Sequence, residues 1–117
     1  MIGKPFKNEN RYRLTISMYE RKLLMGFIRA HILHHANDPD GIYGSRMIEE
    51  LGEHGYKISP GTLYPILHEM EKDGTLKVED TLVDGKIRKI YRITDKGKDV
   101  LEMMKGFIKE LSREVLD

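Results

Sequence analysis

Apolar positions recur at helical spacing through most of this chain and switch to alternation in one internal stretch. Between Glu20 and Ala36, the residues Leu23, Leu24, Phe27, Ile28, Ile32 and Leu33 cover more than one stripe, which predicts a helix buried on two sides. A chain this small rarely builds two cores, so the second stripe points to a partner subunit. The turn-rich run Asn37-Asp38-Pro39-Asp40-Gly41 ends that helix. From Ile42 to His54 a shorter helix is expected, with Tyr43, Met47, Ile48 and Leu51 apolar and Glu49, Glu50 and Glu53 solvated. Gly55 stops it, and Tyr56-Lys57-Ile58 leads into the next helical stretch.

That stretch, Ile58 to Gly74, is the one the chain is organised around. Ser59 and Pro60 supply helix-start chemistry, a cap and a residue suited to the first helical position. Leu63, Ile66, Leu67 and Met70 fall at i, i+3, i+4 and i+7, and Asp73-Gly74 ends the helix. The opposite face opens with Gly61, Thr62 and Pro65, compact residues that let a ligand come close to the backbone. Pro65 cannot donate a hydrogen bond, which should loosen the first turns or move the start toward Thr62. Two helices joined by a short Gly-containing turn make a helix-turn-helix.

Beyond Gly74 the period becomes two. Leu76 and Val78 alternate with Thr75, Lys77 and Glu79, Asp80 to Lys86 reads as a turn, and Ile87 to Ile93 as a second strand. Tyr91 and Ile93 share the face toward the helices, while Arg88 and Arg92 point away. Thr94 caps a final helix from Asp95 to about Leu116. In it Leu101, Met104, Ile108, Leu111 and Val115 step by 3, 4, 3 and 4, a seam of about two heptads, widened by Val100, Met103 and Phe107. Met1 to Met18 is polar and basic, with Lys4, Lys7, Arg11 and Arg13 and a weak alternation over Arg13-Leu14-Thr15-Ile16-Ser17; a short strand, a first helical turn and a mobile arm are all open to it, a partly ordered tail is the favoured reading, and a basic arm along DNA ranks second.

Composition narrows the function. A chain of 117 residues suits one domain. Zero Cys removes disulfides, thiolate metal sites and Cys nucleophiles, and no run resembles a signal peptide or membrane span, so a cytoplasmic location is expected. The net charge of +1 announces no partner, but Lys86, Arg88, Lys89 and Arg92 form a local basic stripe. Its bland reading is a charged strand edge that resists pairing. No phosphate-binding Gly loop with Lys-Ser/Thr, serine elbow or acid–base carboxylate pair is present, so no catalytic role and no cofactor are expected. His31 and His35 have i,i+4 spacing with Asp38 and Asp40 following, a pattern that suggests metal but fixes no third ligand. Interface or solvent-facing histidines are expected there, without metal.

The wording SPGTLYPILHEMEKDG, with IYG at Ile42 to Gly44 upstream and YRITDKG at Tyr91 to Gly97 downstream, resembles the PadR family of transcriptional regulators. The resemblance spans roughly residues 20 to 105, with the blocks in the family's order. It implies a mainly α fold with a small β-hairpin (α+β): a winged helix-turn-helix over 19–94, carrying an additional dimerisation helix over 95–117 after an extension over 1–18. It also implies a dimeric repressor reading a pseudo-palindromic operator in double-stranded DNA. Ser59, Gly61, Thr62, Tyr64 and Pro65 would make recognition-helix contacts, with Tyr43 and Gly44 near phosphate and Lys86, Arg88 and Lys89 on the wing. Tyr64 can touch a base or phosphate through its hydroxyl, or its ring can complete the core; Gly44 serves close packing or close approach. The homodimer interface would draw on Leu24, Phe27, Leu101, Met104, Phe107, Ile108, Leu111 and Val115.

Departures from the family pattern are His68-Glu69, where basic residues are frequent, and Lys86-Ile87, where Arg-Pro is more usual. Both should weaken phosphate contacts. The short C-terminal region resembles a subgroup some of whose members bind flat hydrophobic drugs between subunits, so a small aromatic or hydrophobic ligand is a further expected partner. Seven Met residues suit such a pocket but equally an ordinary core. The rival readings are a winged-helix protein-interaction module without DNA binding and a metal-responsive sensor using His31 and His35.

Overall fold

The computed structural model describes residues 11–116. In chain order it contains α1 (Arg13–Ala36), β1 (Ile42–Tyr43), α2 (Gly44–Glu53), α3 (Pro60–Lys72), β2 (Leu76–Val83), β3 (Lys86–Ile93) and α4 (Asp95–Leu116). The strands form one antiparallel sheet in the order β1-β3-β2. This is the expected α+β winged-helix architecture, with four corrections in detail.

The first helix begins at Arg13 rather than Glu20, so Arg13 to Met18 belongs to α1 and not to an extension. The weak alternation around Leu14 and Ile16 gave no reason to extend the helix, but nothing between Arg13 and Glu20 breaks one either: the segment lacks Gly and Pro. The expectation of a basic arm at Lys4 and Lys7 lies outside the described residues. Ile42 and Tyr43 form a short strand instead of opening the second helix, pairing with Tyr91 and Ile90. The wing is longer than expected. β2 runs on to Val83 because Asp84 and Gly85, both with positive φ (50° and 78°), close a two-residue hairpin whose twist matches the strands. Finally, α3 starts at Pro60 despite Pro65. Pro60 is pre-set for the first helical position, and Pro65 faces outward one turn later, so the start does not move to Thr62.

The core sits where the helix-turn-helix meets α1 and the sheet. Ile28, Ile32, Leu33 and Ala36 of α1 meet Met47 and Leu51 of α2 and Leu63, Ile66, Leu67 and Met70 of α3. Leu76, Tyr91 and Ile93 close it from the sheet and Leu101 from α4. The periodic set on α3 is thus wholly buried, which leaves the opposite face free. Gly74 takes φ +86° to turn the chain out of α3, and Thr75 returns its N–H to the Met70 carbonyl at 3.0 Å. Thr94 accepts the N–H of Gly97 at 3.0 Å and donates its hydroxyl to the Gly74 carbonyl, so one residue caps α4 and ties it to the end of α3.

Buried residues of α1 all lie between Ile28 and Ala36, and those of α4 between Gly97 and Leu101. The distal halves of both helices stand clear of the core with large apolar side chains exposed. Among the described residues no helix is long and apolar enough to cross a membrane.

Candidate nucleic-acid interface

The exposed end of α3 is built by what its buried side requires. With Leu63, Ile66 and Leu67 in the core, Gly61, Thr62 and Pro65 are left on the surface beside Ser59 and Pro60. Among the described residues no side chain caps the start of α3. The Ser59 hydroxyl lies 3.2 Å from that of Thr62, so these two side chains form a small polar unit at the helix entry. Pro60 has no N–H and that of Thr62 donates to the Ser59 carbonyl at 3.0 Å, so the helix start presents the Gly61 N–H and the positive end of the helix dipole.

Tyr64 occupies the boundary between this surface and the interior. Its ring is half-buried and packs against the core, and its hydroxyl lies against the backbone of Gly44, where even a Cβ would collide with the phenol. Of the two roles open to Tyr64, packing therefore takes the ring. Gly44 is likewise buried and serves the close approach of α2 to α3. Tyr64 also neighbours Tyr91, whose phenol is pushed above its ordinary pKa by burial first and by Glu71 and Tyr64 after it.

The wing is joined to the same surface. The Arg88 guanidinium lies 4.4 Å from the centroid of the Tyr43 ring, so β3 is clasped to the residue preceding α2. Lys89 pairs with Asp80 at 3.6 Å with both side chains well exposed, an arrangement worth little in water and readily exchanged for a phosphate. Lys86, next to the hairpin turn, is exposed and has no ion-pair partner among the described residues. Arg92 is committed elsewhere: its Nε meets Glu79 at 2.6 Å and a terminal nitrogen donates to the Pro39 carbonyl. Its charge therefore braces the loop before β1.

Glu69 lies two turns along the same stripe of α3 as Thr62. Both its carboxylate oxygens lie 3.3 Å from Arg29 on α1, so its charge is answered within the chain. His68 is exposed. Of the residues expected at a subunit interface, Leu24, Phe27 and Met104 are half-buried, whereas Phe107, Ile108, Leu111 and Val115 are exposed. Leu101 is corrected: at 5% exposure it belongs to the chain's own core, because the first turns of α4 pack on its own domain. Sequence reasoning missed the Arg88–Tyr43 contact and the proximity of His54 to His31 and His35. The short spacing from Tyr43 to the helix start held no signal of the first, and only the helix-turn-helix geometry brings His54 back to α1.

The comparisons with known proteins agree with this geometry. The family model described as the transcriptional regulator PadR-like family matches residues 32–103. The transcriptional regulator Rv3488 of Mycobacterium tuberculosis is 46% identical over 96 residues, covering 82% of this chain and 89% of that protein. Among solved structures, a PadR-like transcriptional regulator of Bacillus cereus has a TM-score of 0.72 at 30% identity, covering 82% of this chain and 97% of its own. A PadR family transcriptional regulator of Eggerthella lenta has a TM-score of 0.69 at 31% identity, covering 89% and 88%.

Proposed function

The chain belongs to the PadR-like family of transcriptional regulators, and from that premise we propose that it acts as a homodimeric repressor whose α3 reads a pseudo-palindromic operator. As a DNA-binding regulator of transcription it is not an enzyme. The observation that carries the finer reading is the exposed, uncapped start of α3, with Gly61, Thr62 and Pro65 on one surface and the wing clasped beside it. Thr62 and Ser59 meet base edges or phosphate in the major groove, and the Gly61 N–H receives a phosphate. Lys86 and Lys89 meet the backbone without reading sequence, and Arg88 with Tyr43 fixes the wing's angle. Tyr64 and Gly44 act by setting how α3 projects.

Residues 19–94 serve as the DNA-binding unit and 95–117 as the dimerisation helix. The exposed apolar halves of α1 and α4 support a dimer, since a lone chain would leave Leu23, Phe107, Leu111 and Val115 in water. The two-fold axis sets half-sites about one helical turn, or a multiple, apart. Selection of bound fragments from a genomic DNA pool tests the reading. Enrichment of one inverted repeat with that spacing is the expected result; recovery of DNA without any common sequence would contradict it.

A further inference from the structure

We propose that His31, His35 and His54 form a three-imidazole site for a divalent transition-metal ion of the zinc type, bridging α1 and the end of α2. The sequence offers only the His31/His35 pair at i,i+4; the fold adds His54, the C-terminal cap residue of α2. One ligand nitrogen from each of the three lies within 4.8 Å of the others. In a tetrahedral zinc site with Zn–N near 2.05 Å, ligand nitrogens stand about 3.4 Å apart. Small side-chain rotations close that gap, and His54 is exposed and free to make them.

The rings are already gathered. His31 and His54 stack with centroids 4.6 Å apart, and His35 stands 6.2 Å from the first and 5.8 Å from the second. Stacked histidines in a core normally hold their nitrogens to carbonyls or carboxylates. Among the described residues the side chains of these three make no hydrogen bond and no ion pair, and the Nε2 of His35 is buried without a partner. A buried acceptor left unpaired is costly, and a metal ion is one group that satisfies it. Burial first, then the neighbouring histidines, lowers the pKa of His31; burial and His34 lower that of His35, with Glu50 opposing. Neutral imidazole is the metal-binding form.

An all-nitrogen set selects zinc, copper, nickel or cobalt over magnesium and calcium, which require oxygen. Three protein ligands leave a fourth position open to water or a small anion. Because His54 stands just before the turn into α3, an ion there would fasten α1 to the helix-turn-helix. Binding at the site does not depend on whether α3 reads DNA.

The test uses tag-free protein, dialysed against chelator and titrated calorimetrically with zinc, with magnesium as a control. Uptake of one zinc per chain is expected, weakened at least tenfold in His54→Ala and in His31→Ala and unchanged in His68→Ala on the surface of α3. Each variant's circular dichroism melt verifies that it is folded. No saturable uptake by the wild type, equal affinity in folded His54→Ala, or magnesium binding as tightly as zinc would overturn the proposal.

Discussion

A missing methyl group and a phenol set the spacing between α2 and α3. Because the Tyr64 hydroxyl occupies the space a Cβ at Gly44 would need, Gly44→Ala is expected to destabilise the protein by about 1–3 kcal/mol, as overpacking of a tight site does. Tyr64→Phe removes the nearest atom, so the double variant should lose less than the sum of the two singles. Urea melts of the four proteins check this, and strict additivity would mean that the two residues do not meet. The sequence left both roles of each residue open, since a glycine at a helix start and a tyrosine on a mixed face are equally usual near a ligand and in a core. Glu69 shows the same limit. By position it stands where the family often carries a basic residue, yet its partner is Arg29, remote in sequence and unreadable without the fold.

At the level of elements, periodicity served α3 best. Leu63, Ile66, Leu67 and Met70 are buried as their spacing demands. It served β1 worst, because a strand of two residues has no period to read and exists only through its pairing with β3. The seam of α4 divides in a way spacing could not show: Leu101 turns into the domain, while Ile108 and Leu111 remain 44% and 51% exposed. That division makes the dimer testable without damage to the core. Ile108→Glu with Leu111→Glu is expected to leave the fold intact, convert the protein to monomer in analytical sedimentation and abolish specific DNA binding. A wild-type chain that sediments as monomer at micromolar concentration would contradict the interface.

At the level of the whole molecule, the two exposed apolar helix halves and the DNA face lie on one chain, so a ligand between subunits can alter DNA affinity only by preferring one dimer geometry. Leu24, Phe27, Met104 and Phe107 are the expected lining. Planar aromatic compounds should raise the wild-type melting temperature saturably and fail to do so in Phe107→Ala; unchanged melting of the wild type across a panel of them would remove the effector from the account.

The central claim is a division of labour in which the start of α3 discriminates sequence and the wing supplies charge. Thr62 is exposed on α3, and Lys86 is exposed beside the wing turn with no internal ion pair among the described residues to lose. Competition binding over a salt series, on operator and scrambled DNA, separates the two roles. Lys86→Ala should weaken both DNAs alike and reduce the salt slope by about 1, through one fewer counterion released. Thr62→Ala should leave the slope unchanged and lose roughly 1–3 kcal/mol of preference for the operator at a defined base pair. Equal loss on operator and scrambled DNA in Thr62→Ala would contradict the reading of α3 as the element that recognises sequence.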